Sequence, residues 1–422
     1  MTTSPMNSFQ MMAKPTGALC NLDCSYCFYL EKEKLYPSTS NWAMSDAVLE
    51  SYIRRYIESQ TCEVVTFAWQ GGEPTLLGIS WFENVLALQR KYANGKRIEN
   101  ALQTNGVTLD ESWGEFLAAH DFLVGVSIDG PRELHDMYRV DKGRQPTFDR
   151  VMCGIEHLKA AGARFNTLTV VNRKNSYHPL EVYRFLKEIG SGFMQFIPVI
   201  ERQAKSGGPD GLVLIHPKYK GTAEVTDWSV EPEAYGNFIC AIFDEWVRND
   251  VGKFSVQLFD VTLELWLGMP PSLCVFAETC GDALALEHQG DLYSCDHYVY
   301  PENKLGNILE NPLASIVQSE QQRDFGQAKR DSLPVYCKNC DVRFACNGEC
   351  PKHRFAMTPD GEPGLNYLCA AYKKFFHHVA PYMEFMGREL LNHRPPSTVM
   401  EYARWVDDQM LPHATNRAAE SE

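Results

Sequence analysis

The pattern of hydrophobic and polar positions over the first 200 residues predicts strands that alternate with helices. Between short apolar runs, apolar residues recur every three to four positions, which is typical of amphipathic helices. The predicted strands are QMMAKPT (10–16), EVVTFAW (63–69), RIENALQT (97–104), FLVGVSI (122–128), RFNTLTVV (164–171) and FMQFIPV (193–199). Predicted helices include MSDAVLESYIRRYIE, with Ser45 as N-cap, and HPLEVYRFLKEIG, which ends at Gly190.

Six strand–helix units predict an α/β fold with a parallel sheet and right-handed crossovers. Periodicity alone fits either a doubly wound sheet or an incomplete, TIM-like (β/α)6 barrel. In both architectures the functional residues gather at the carboxyl ends of the strands. The first strand runs into a cysteine-rich loop, and polar loops at 70–74, 104–106 and 127–130 follow the next three. We therefore expect these four loops to converge on one mouth.

The second half of the chain has a different pattern. Residues 201–230 lose the alternation and are rich in Gly, Lys and Pro, which predicts a surface insertion or lid, and a helix is predicted at about 231–249. From residue 270 onward, strand and turn signals mix with cysteines, as in a small metal-stapled module. We expect the strand–helix domain over 1–235, a helical connection over 236–269, a cysteine-rich domain over 270–375, and a C-terminal helix with a polar, frayed tail over 376–422.

Composition limits the classes of function. The chain has 422 residues, 44% of them hydrophobic, so it can bury a large core. Its formal net charge of −14 argues against nucleic-acid binding, which relies on clustered Lys and Arg. No run of 18 apolar residues and no signal-peptide pattern is present, so we expect a cytoplasmic protein without a membrane partner.

Fourteen cysteines are unusual for a protein of a reducing compartment, where disulfides are rarely maintained. Metal binding or redox chemistry is the expected explanation for most of them. Eleven fall into two groups, one near the N-terminus and one after residue 270. The other three, Cys62, Cys153 and Cys240, lie in apolar contexts, and we predict that they belong to the core.

The first group is a C-x3-C-x2-C motif formed by Cys20, Cys24 and Cys27. A structural zinc ion normally takes four ligands. Three thiolates instead suit a 4Fe–4S cluster with one iron left open to an outside ligand. The spacing therefore favours an iron–sulfur cluster over zinc.

This motif, with Tyr26 before its third cysteine and a Gly-Gly-Glu-Pro loop after the second strand, resembles the radical S-adenosylmethionine (SAM) superfamily. The resemblance implies that SAM chelates the open iron and that its cleavage yields a 5′-deoxyadenosyl radical. It also implies that the first domain is the partial (β/α)6 barrel, and that this barrel holds a SAM site. The implied contacts are Tyr26, Gly71, Gly72, Glu73, Ser127, Arg139 and Met194. For the glycine pair there is a physical reason as well, because a residue without a Cβ lets the backbone approach a ligand closely.

The second group comprises eight cysteines, enough for two sets of four. It resembles the SPASM domain, which carries two auxiliary 4Fe–4S clusters. The resemblance implies that Cys274, Cys280, Cys295 and Cys350 hold auxiliary cluster I, and that Cys337, Cys340, Cys346 and Cys369 hold auxiliary cluster II. Such interleaving is known from two-cluster ferredoxins. One or two zinc sites are the alternative for the same spacings.

Within SPASM enzymes, the chain resembles the anaerobic sulfatase-maturating enzymes. The stretches that carry the resemblance are CNLDCSYCFY, FAWQGGEPTLLG, LQTNG, FLVGVSIDGP, YSCDHYVYPENKLGNI and CKNCDVRFACNGEC. It implies oxidation of one Cys or Ser, in a C/S-x-P-x-R motif of an unfolded or nascent sulfatase polypeptide, to Cα-formylglycine. It further implies three 4Fe–4S clusters, SAM, and an electron donor such as flavodoxin or ferredoxin.

The resemblance implies that Asp296, directly after the cluster ligand Cys295, accepts the proton of the target thiol or hydroxyl. A base must be ionised and within hydrogen-bond reach. His297 is a rival base because its ordinary pKa lies near neutrality. Tyr29 and Gln70 match positions near the bound peptide and could bind its backbone.

Two other functions remain open. A SPASM enzyme that modifies another ribosomally made peptide would often need a leader-binding domain, and 19 residues before Cys20 are too few for one. A non-catalytic iron–sulfur electron carrier would explain the thiols but not the Gly-Gly-Glu-Pro loop.

Overall fold

Parallel strands in the order of the chain form the centre of the fold. The computed structural model describes residues 9–36, 42–204, 212–217, 219 and 221–419. The first strands are β1 (Gln10–Lys14), β2 (Val64–Trp69), β3 (Arg97–Thr104), β4 (Leu123–Ser127), β5 (Phe165–Val171) and β6 (Phe193–Pro198). They confirm the six predicted strands, with ends that differ by at most two residues. Neighbours in the sheet are neighbours in sequence, without the order reversal of a doubly wound sheet, so the fold is the partial barrel.

Helices cover the outer face of this sheet. They are α1 (Asp46–Ser59), α2 (Ile79–Tyr92), α3 (Glu111–Ala119), α4 (Arg132–His135), α5 (Phe148–Ala161) and α6 (Pro179–Glu188). The hydroxyl of Ser45 accepts a hydrogen bond from the Val48 N–H at 3.3 Å, which confirms the predicted N-cap of α1. Large side chains of α1 and α2, such as Tyr52 and Phe82, are fully buried against Phe67 and Trp69 of β2.

The segment after β6 contains a small antiparallel pair, β7 (Arg202–Ala204) and β8 (Ala223–Val225). Residues 205–211, 218 and 220 of the predicted insertion lie outside the described residues. The chain then forms α7 (Pro232–Asn249), β9 (Ser255–Val256), which pairs with β6, and α8 (Gln257–Trp266). The helix predicted at about 231–249 is therefore confirmed.

The cysteine-rich half of the chain extends the barrel sheet, which the sequence did not indicate. β10 (Ala283–Glu287) pairs in parallel with β1, and β11 (Asp291–Tyr293) and β12 (Lys304–Asn307) continue it antiparallel. Within the described residues, the sheet thus has ten strands, in the order β12-β11-β10-β1-β2-β3-β4-β5-β6-β9. The predicted boundary at residue 270 does not separate two sheets.

The remaining elements are short until the C-terminal helices. They are α9 (Leu313–Val317), α10 (Glu320–Asp331), α11 (Val335–Lys338), α12 (Arg343–Cys346), β13 (Ala356–Met357), β14 (Pro363–Leu365), α13 (Cys369–Leu391) and α14 (Val399–Ala419). The first part of α14 packs on the protein, with Val399 and Ala403 fully buried and Asp407 bound by Arg248 of α7 at 2.8 Å, while the frayed end of the chain stays a prediction. Residues 420–422 lie outside the described residues.

The three isolated cysteines do not share one environment. Cys240 is buried in α7, as predicted. The prediction is wrong for Cys62 and Cys153, which are exposed: Cys62 lies just before β2, and Cys153 lies on α5 with its sulfur 3.5 Å from His157. Among the described helices, none has both the length and the apolar character needed to cross a membrane.

Candidate active site

The loops after β1, β2 and β3 are tied together at the predicted mouth. The Gly72 N–H donates to the Gly17 carbonyl at 2.8 Å, and the Glu73 N–H donates to the Leu19 carbonyl at 2.9 Å. A Cβ on Gly72 would lie 1.9 Å from the Leu19 oxygen, so no other residue fits there without a backbone shift. Gly71 has φ +127°, a conformation that favours glycine. The glycine pair is therefore required by the close approach of two backbone segments.

Glu73 links this junction to the end of β3. Its buried carboxylate accepts hydrogen bonds from the Thr75 N–H (3.1 Å) and hydroxyl (2.6 Å), the Thr104 hydroxyl (2.8 Å) and the Asn105 N–H (2.7 Å). Burial raises the pKa of the Glu73 carboxyl, while these donors act in the opposite direction. Because a carboxylate has about four acceptor positions, any contact of Glu73 with a cofactor would have to come from its backbone.

Cys20, Cys24 and Cys27 lie close together on the loop after β1. The Cys27 N–H donates to the Cys24 carbonyl at 3.0 Å, and the Leu22 N–H points at the Cys20 sulfur at 3.3 Å. Burial raises the pKa of the Cys20 and Cys27 thiols to about 11, and it raises that of Cys24 too, with a smaller contribution from the other two thiols. The amide of Asn105 lies 3.7 Å from the Cys20 sulfur and so brings the loop after β3 to the same place.

These thiols fit a cluster better than a single ion. A cubane spreads its ligands over separate irons, and sulfur donors are what it prefers.

Beside Cys24, a buried cluster of Tyr26, Asp129 and Arg139 joins the loop after β1 to the connection between β4 and α5. Asp129, after β4, accepts a hydrogen bond from the Tyr26 hydroxyl at 2.5 Å and lies 3.0 Å from Arg139 Nε. The Arg139 N–H is not aimed at the carboxylate, so this contact is an ion pair rather than a regular hydrogen bond. Although burial disfavours its charge, Asp129 raises the pKa of Arg139, which therefore remains a cation. Two of the predicted SAM contacts, Tyr26 and Arg139, thus share one carboxylate.

The last two predicted SAM contacts lie on strands β4 and β6. Ser127 ends β4, and its hydroxyl accepts a hydrogen bond from the Gln103 amide at 2.9 Å. Met194 is on β6 and is fully buried in the core.

The predicted base Asp296 meets a residue that the sequence analysis missed. The ammonium of Lys14, at the end of β1, lies 2.5 Å from Asp296 Oδ1 and donates to Gln70 Oε1 at 3.3 Å. Burial favours the protonated acid, but Lys14 and neighbouring groups lower the pKa of Asp296 below its ordinary value. The carboxylate is one-fifth exposed and therefore reachable from the mouth.

The other residues predicted to lie near the peptide differ in whether they have a hydrogen-bonding group that is free to contact it. The hydroxyl of Tyr29 donates to Glu287 of β10 and is already engaged. Gln70 has its amide nitrogen unbonded to any described residue, so it can donate to a ligand. The rival base His297 packs its ring edge on Phe28, 5.3 Å between centroids, and burial lowers its pKa to about 3.

The cysteines of predicted auxiliary cluster I influence one another. Burial raises the pKa of the Cys295 thiol, and Cys274 and Cys280 add to the rise. Burial raises the pKa of Cys350 as well, and Cys295 and Cys280 again contribute. The buried ammonium of Lys329 donates to the Cys274 carbonyl at 2.6 Å, which places a cation beside this thiol set.

The cysteines of predicted auxiliary cluster II surround one cavity. Cys337, Cys340, Cys346 and Cys369 all line it, together with Asn366 and Lys373. Cys346 and Cys350 are four residues apart, yet Cys350 does not line this cavity. The chemistry and arrangement of both thiol sets fit iron–sulfur clusters, whose number and ligands remain predictions.

The sequence analysis missed Lys14, and it placed Asn105 and Asp129 in the converging loops without assigning them a contact. Each lies at the carboxyl end of a strand or just beyond it. That position was the available signal, and for Lys14 the signal was stronger, because a lysine inside an apolar strand pattern is unusual in a buried sheet.

Comparison with known proteins gives the class of this chain. A model of the radical SAM superfamily matches residues 15–186, and a model of the SPASM iron–sulfur cluster-binding domain matches residues 274–341. A serine-type anaerobic sulfatase-maturating enzyme of Bacteroides thetaiotaomicron is 50% identical over 391 residues, 93% of this chain and 94% of the relative. A cysteine-type enzyme of Clostridium perfringens is 35% identical over 382 residues, 89% of this chain and 97% of the relative.

A solved structure agrees with these relatives. Native anSMEcpe with bound AdoMet and Cp18Cys peptide is 33% identical, has a TM-score of 0.78, and matches over 90% of this chain and 99% of its own. The chain belongs to the anaerobic sulfatase-maturating enzymes of the radical SAM superfamily. This confirms the predicted fold, the predicted enzyme class and the use of SAM and iron–sulfur clusters.

Proposed function

We propose that this enzyme oxidises the serine or cysteine of a C/S-x-P-x-R motif in an unfolded or nascent sulfatase polypeptide to Cα-formylglycine. The observation that carries the proposal is the Asp296 carboxylate, ionised and partly exposed between the barrel mouth and the first auxiliary thiol set. Peptide substrates agree with the peptide-bound structure of the 33% identical relative.

The chain's own residues would hold and orient the reactants. When bound, SAM and its cluster supply a radical that removes one Cβ hydrogen atom from the target residue, and the auxiliary clusters supply an acceptor for one electron. Cys20, Cys24 and Cys27 would hold the first cluster. Tyr26, Gly71, Gly72, Glu73, Ser127, Arg139 and Met194 would shape the SAM pocket.

Asp296 would take the remaining proton. For a serine target, loss of a Cβ hydrogen atom, the hydroxyl proton and one electron leaves the aldehyde directly. For a cysteine target the same losses leave a thioaldehyde, which water hydrolyses. The free Gln70 amide nitrogen can donate to a backbone carbonyl of the peptide, and Tyr29 would border the same groove. Higher identity to the serine-type relative makes a serine peptide the first substrate to test.

The test is an anaerobic assay of reconstituted enzyme with SAM and matched S-x-P-x-R and C-x-P-x-R peptides. We expect the aldehyde to be detected by mass together with 5′-deoxyadenosine. In Asp296→Asn, 5′-deoxyadenosine should still form, while the aldehyde falls by about 10²-fold or more, the scale of a lost general base. Asp331→Asn, which changes an exposed carboxylate paired with Arg330, is the control and should behave as the native enzyme.

Full aldehyde yield in Asp296→Asn would overturn the assignment of the base. No aldehyde from either peptide, with activity on an unrelated ribosomal peptide, would favour the other class of SPASM enzyme. Failure to cleave SAM at all would point to an electron carrier.

We further propose that the enzyme works in the cytoplasm and receives electrons from a low-potential carrier such as flavodoxin or ferredoxin. The family's chemistry requires such a reductant. Replacing a chemical reductant by reduced flavodoxin should sustain turnover, and a complete lack of turnover with either carrier would contradict this proposal.

A further inference from the structure

Lys14 is a buried lysine to which the proposed reaction assigns no step. Its side chain, on β1, is 2% exposed, and it is among the largest fully buried side chains of the described residues. Removing an ammonium from water costs several kcal/mol unless a partner compensates for it. A buried lysine at the mouth of an active site therefore calls for a specific explanation.

The contacts of Lys14 converge on the peptide side of the site. Its Nζ lies 2.5 Å from Asp296 Oδ1, 3.3 Å from Gln70 Oε1 and 4.0 Å from the centre of the Tyr29 ring. These are the predicted base and the two predicted peptide contacts. One ammonium thus touches all three.

Lys14 forms its ion pair with Asp296 and not with the carboxylate next to it in the sheet. The register of β1 and β10 places Lys14 directly beside Glu287, which is also buried and carries a carboxylate. Within the described residues, no ion pair joins these two neighbours; Glu287 instead accepts from Tyr29, and Lys14 reaches Asp296. Burial raises the pKa of the Glu287 carboxyl and the charge of Lys14 acts against that rise, but the ion pair that Lys14 forms is with Asp296.

The contact also joins two parts of the chain. Asp296 follows β11 in the cysteine-rich half, whereas Lys14 belongs to the first strand of the barrel. Apart from Lys14, no described side chain forms a hydrogen bond or salt bridge with the Asp296 carboxylate. Its position therefore depends on Lys14, and its second oxygen stays free for a substrate proton.

Gln70 is oriented by the same ammonium. Because Lys14 binds the amide oxygen, the amide nitrogen must point away from Lys14, and it has no partner among the described residues. The donor end of Gln70 is thus free for a peptide carbonyl.

We propose that Lys14 is a positioning residue that fixes the Asp296 carboxylate and the Gln70 amide relative to the bound peptide. This inference rests on the proposed function, in which Asp296 accepts the substrate proton. Loss of the ammonium should leave SAM cleavage in place but misplace the base.

The experiment measures aldehyde formed per 5′-deoxyadenosine in Lys14→Met, Asp296→Asn and the double variant. In Lys14→Met we expect this ratio to fall at least tenfold, with unchanged iron and sulfide content. A substrate deuterated at Cβ should still transfer deuterium to 5′-deoxyadenosine. The double variant should lose clearly less than the product of the two single losses, because part of the effect of Lys14 is exerted through Asp296.

Lys96→Met is the matched control, since Lys96 is a partly buried lysine that binds backbone carbonyls of Ile57 and Gln60 away from the site. It should keep the native ratio. Lys14→Gln fills the site with a polar, uncharged side chain and replaces Lys14→Met in the assay if the latter loses iron.

A native ratio in either folded Lys14 variant would overturn the inference. So would a double variant whose loss equals the product of the two single losses, because that result means independent roles. The proposed function fails separately, if native enzyme makes no aldehyde or if Asp296→Asn keeps the native ratio.

Discussion

At the scale of single residues, the mouth of the barrel is held by contacts that leave no space for a larger side chain. Gly72 is the tightest of these, because the position of a Cβ would coincide with the backbone of Leu19. The same segment carries the hydrogen bonds that hold the cysteine loop against the loop after β2.

We therefore predict that Gly72→Ala destabilises the protein and empties the SAM site. Overpacking of this kind typically costs about 1–3 kcal/mol, and here the clash is with backbone that cannot rotate away. Thermal unfolding of the iron-free protein and SAM-cleavage activity measure the two effects. Gly192→Ala is the control, since a Cβ there has no atom within 4 Å and the residue does not have a positive φ. Equal unfolding temperatures for the two variants would contradict the prediction.

Sequence could predict the residues that carry chemistry but not those that hold them. The cysteine spacing and the Gly-Gly-Glu-Pro loop are local patterns, and they identified the site. Lys14 and Asp129 act through partners 282 and 10 residues away, and only the fold brings Lys14 to Asp296. Glu73 is the opposite case. The sequence analysis named it as a SAM contact, but four hydrogen-bond donors occupy its carboxylate, which therefore has a structural role.

At the scale of elements, the alternating strands and helices were predicted because each carries its own periodicity. The pairing of β10 with β1 was not predicted. Nothing in the sequence of a five-residue strand indicates which other strand it pairs with. The helix α14 was missed because its sequence mixes charged residues with scattered apolar ones. In the structure those apolar residues meet α13, where the rings of Tyr402 and Phe385 stack at 4.6 Å.

The packing of α14 on α13 predicts that truncation of the C-terminus destabilises the protein. Removal of residues 399–422 should lower the unfolding temperature and expose the apolar side chains of α13 that Tyr402 covers. Thermal unfolding and dye binding to exposed apolar surface measure this. A chain that stops at residue 409 keeps Val399, Ala403 and Asp407 and should retain most of the native stability. If both truncations unfold alike, the packing of α14 contributes nothing.

At the scale of the whole molecule, the two auxiliary thiol sets interleave along the chain. Cys350 belongs by its surroundings with Cys295, 55 residues upstream, whereas Cys346 lines the cavity with Cys337 and Cys369. The ligands of predicted cluster I would thus come from both ends of the cysteine-rich half, and each predicted cluster would cross-link segments that are distant in sequence.

If the two thiol sets interleave, the iron lost in a double cysteine variant depends on which clusters the two cysteines hold and not on how close they are in sequence. Three clusters of four irons give about 12 iron atoms per chain. Cys295→Ala and Cys350→Ala should each lose about four, and the double variant no more than either, since both ligate one cluster. Cys346→Ala with Cys350→Ala should lose about eight, although these cysteines are close neighbours. Cys153→Ser, which changes an exposed thiol, should lose none.

Iron and sulfide analysis of anaerobically prepared protein measures these losses. A loss of about four iron atoms in the Cys346 and Cys350 pair would place both cysteines on one cluster. Zinc in place of iron would mean that these thiols hold single ions.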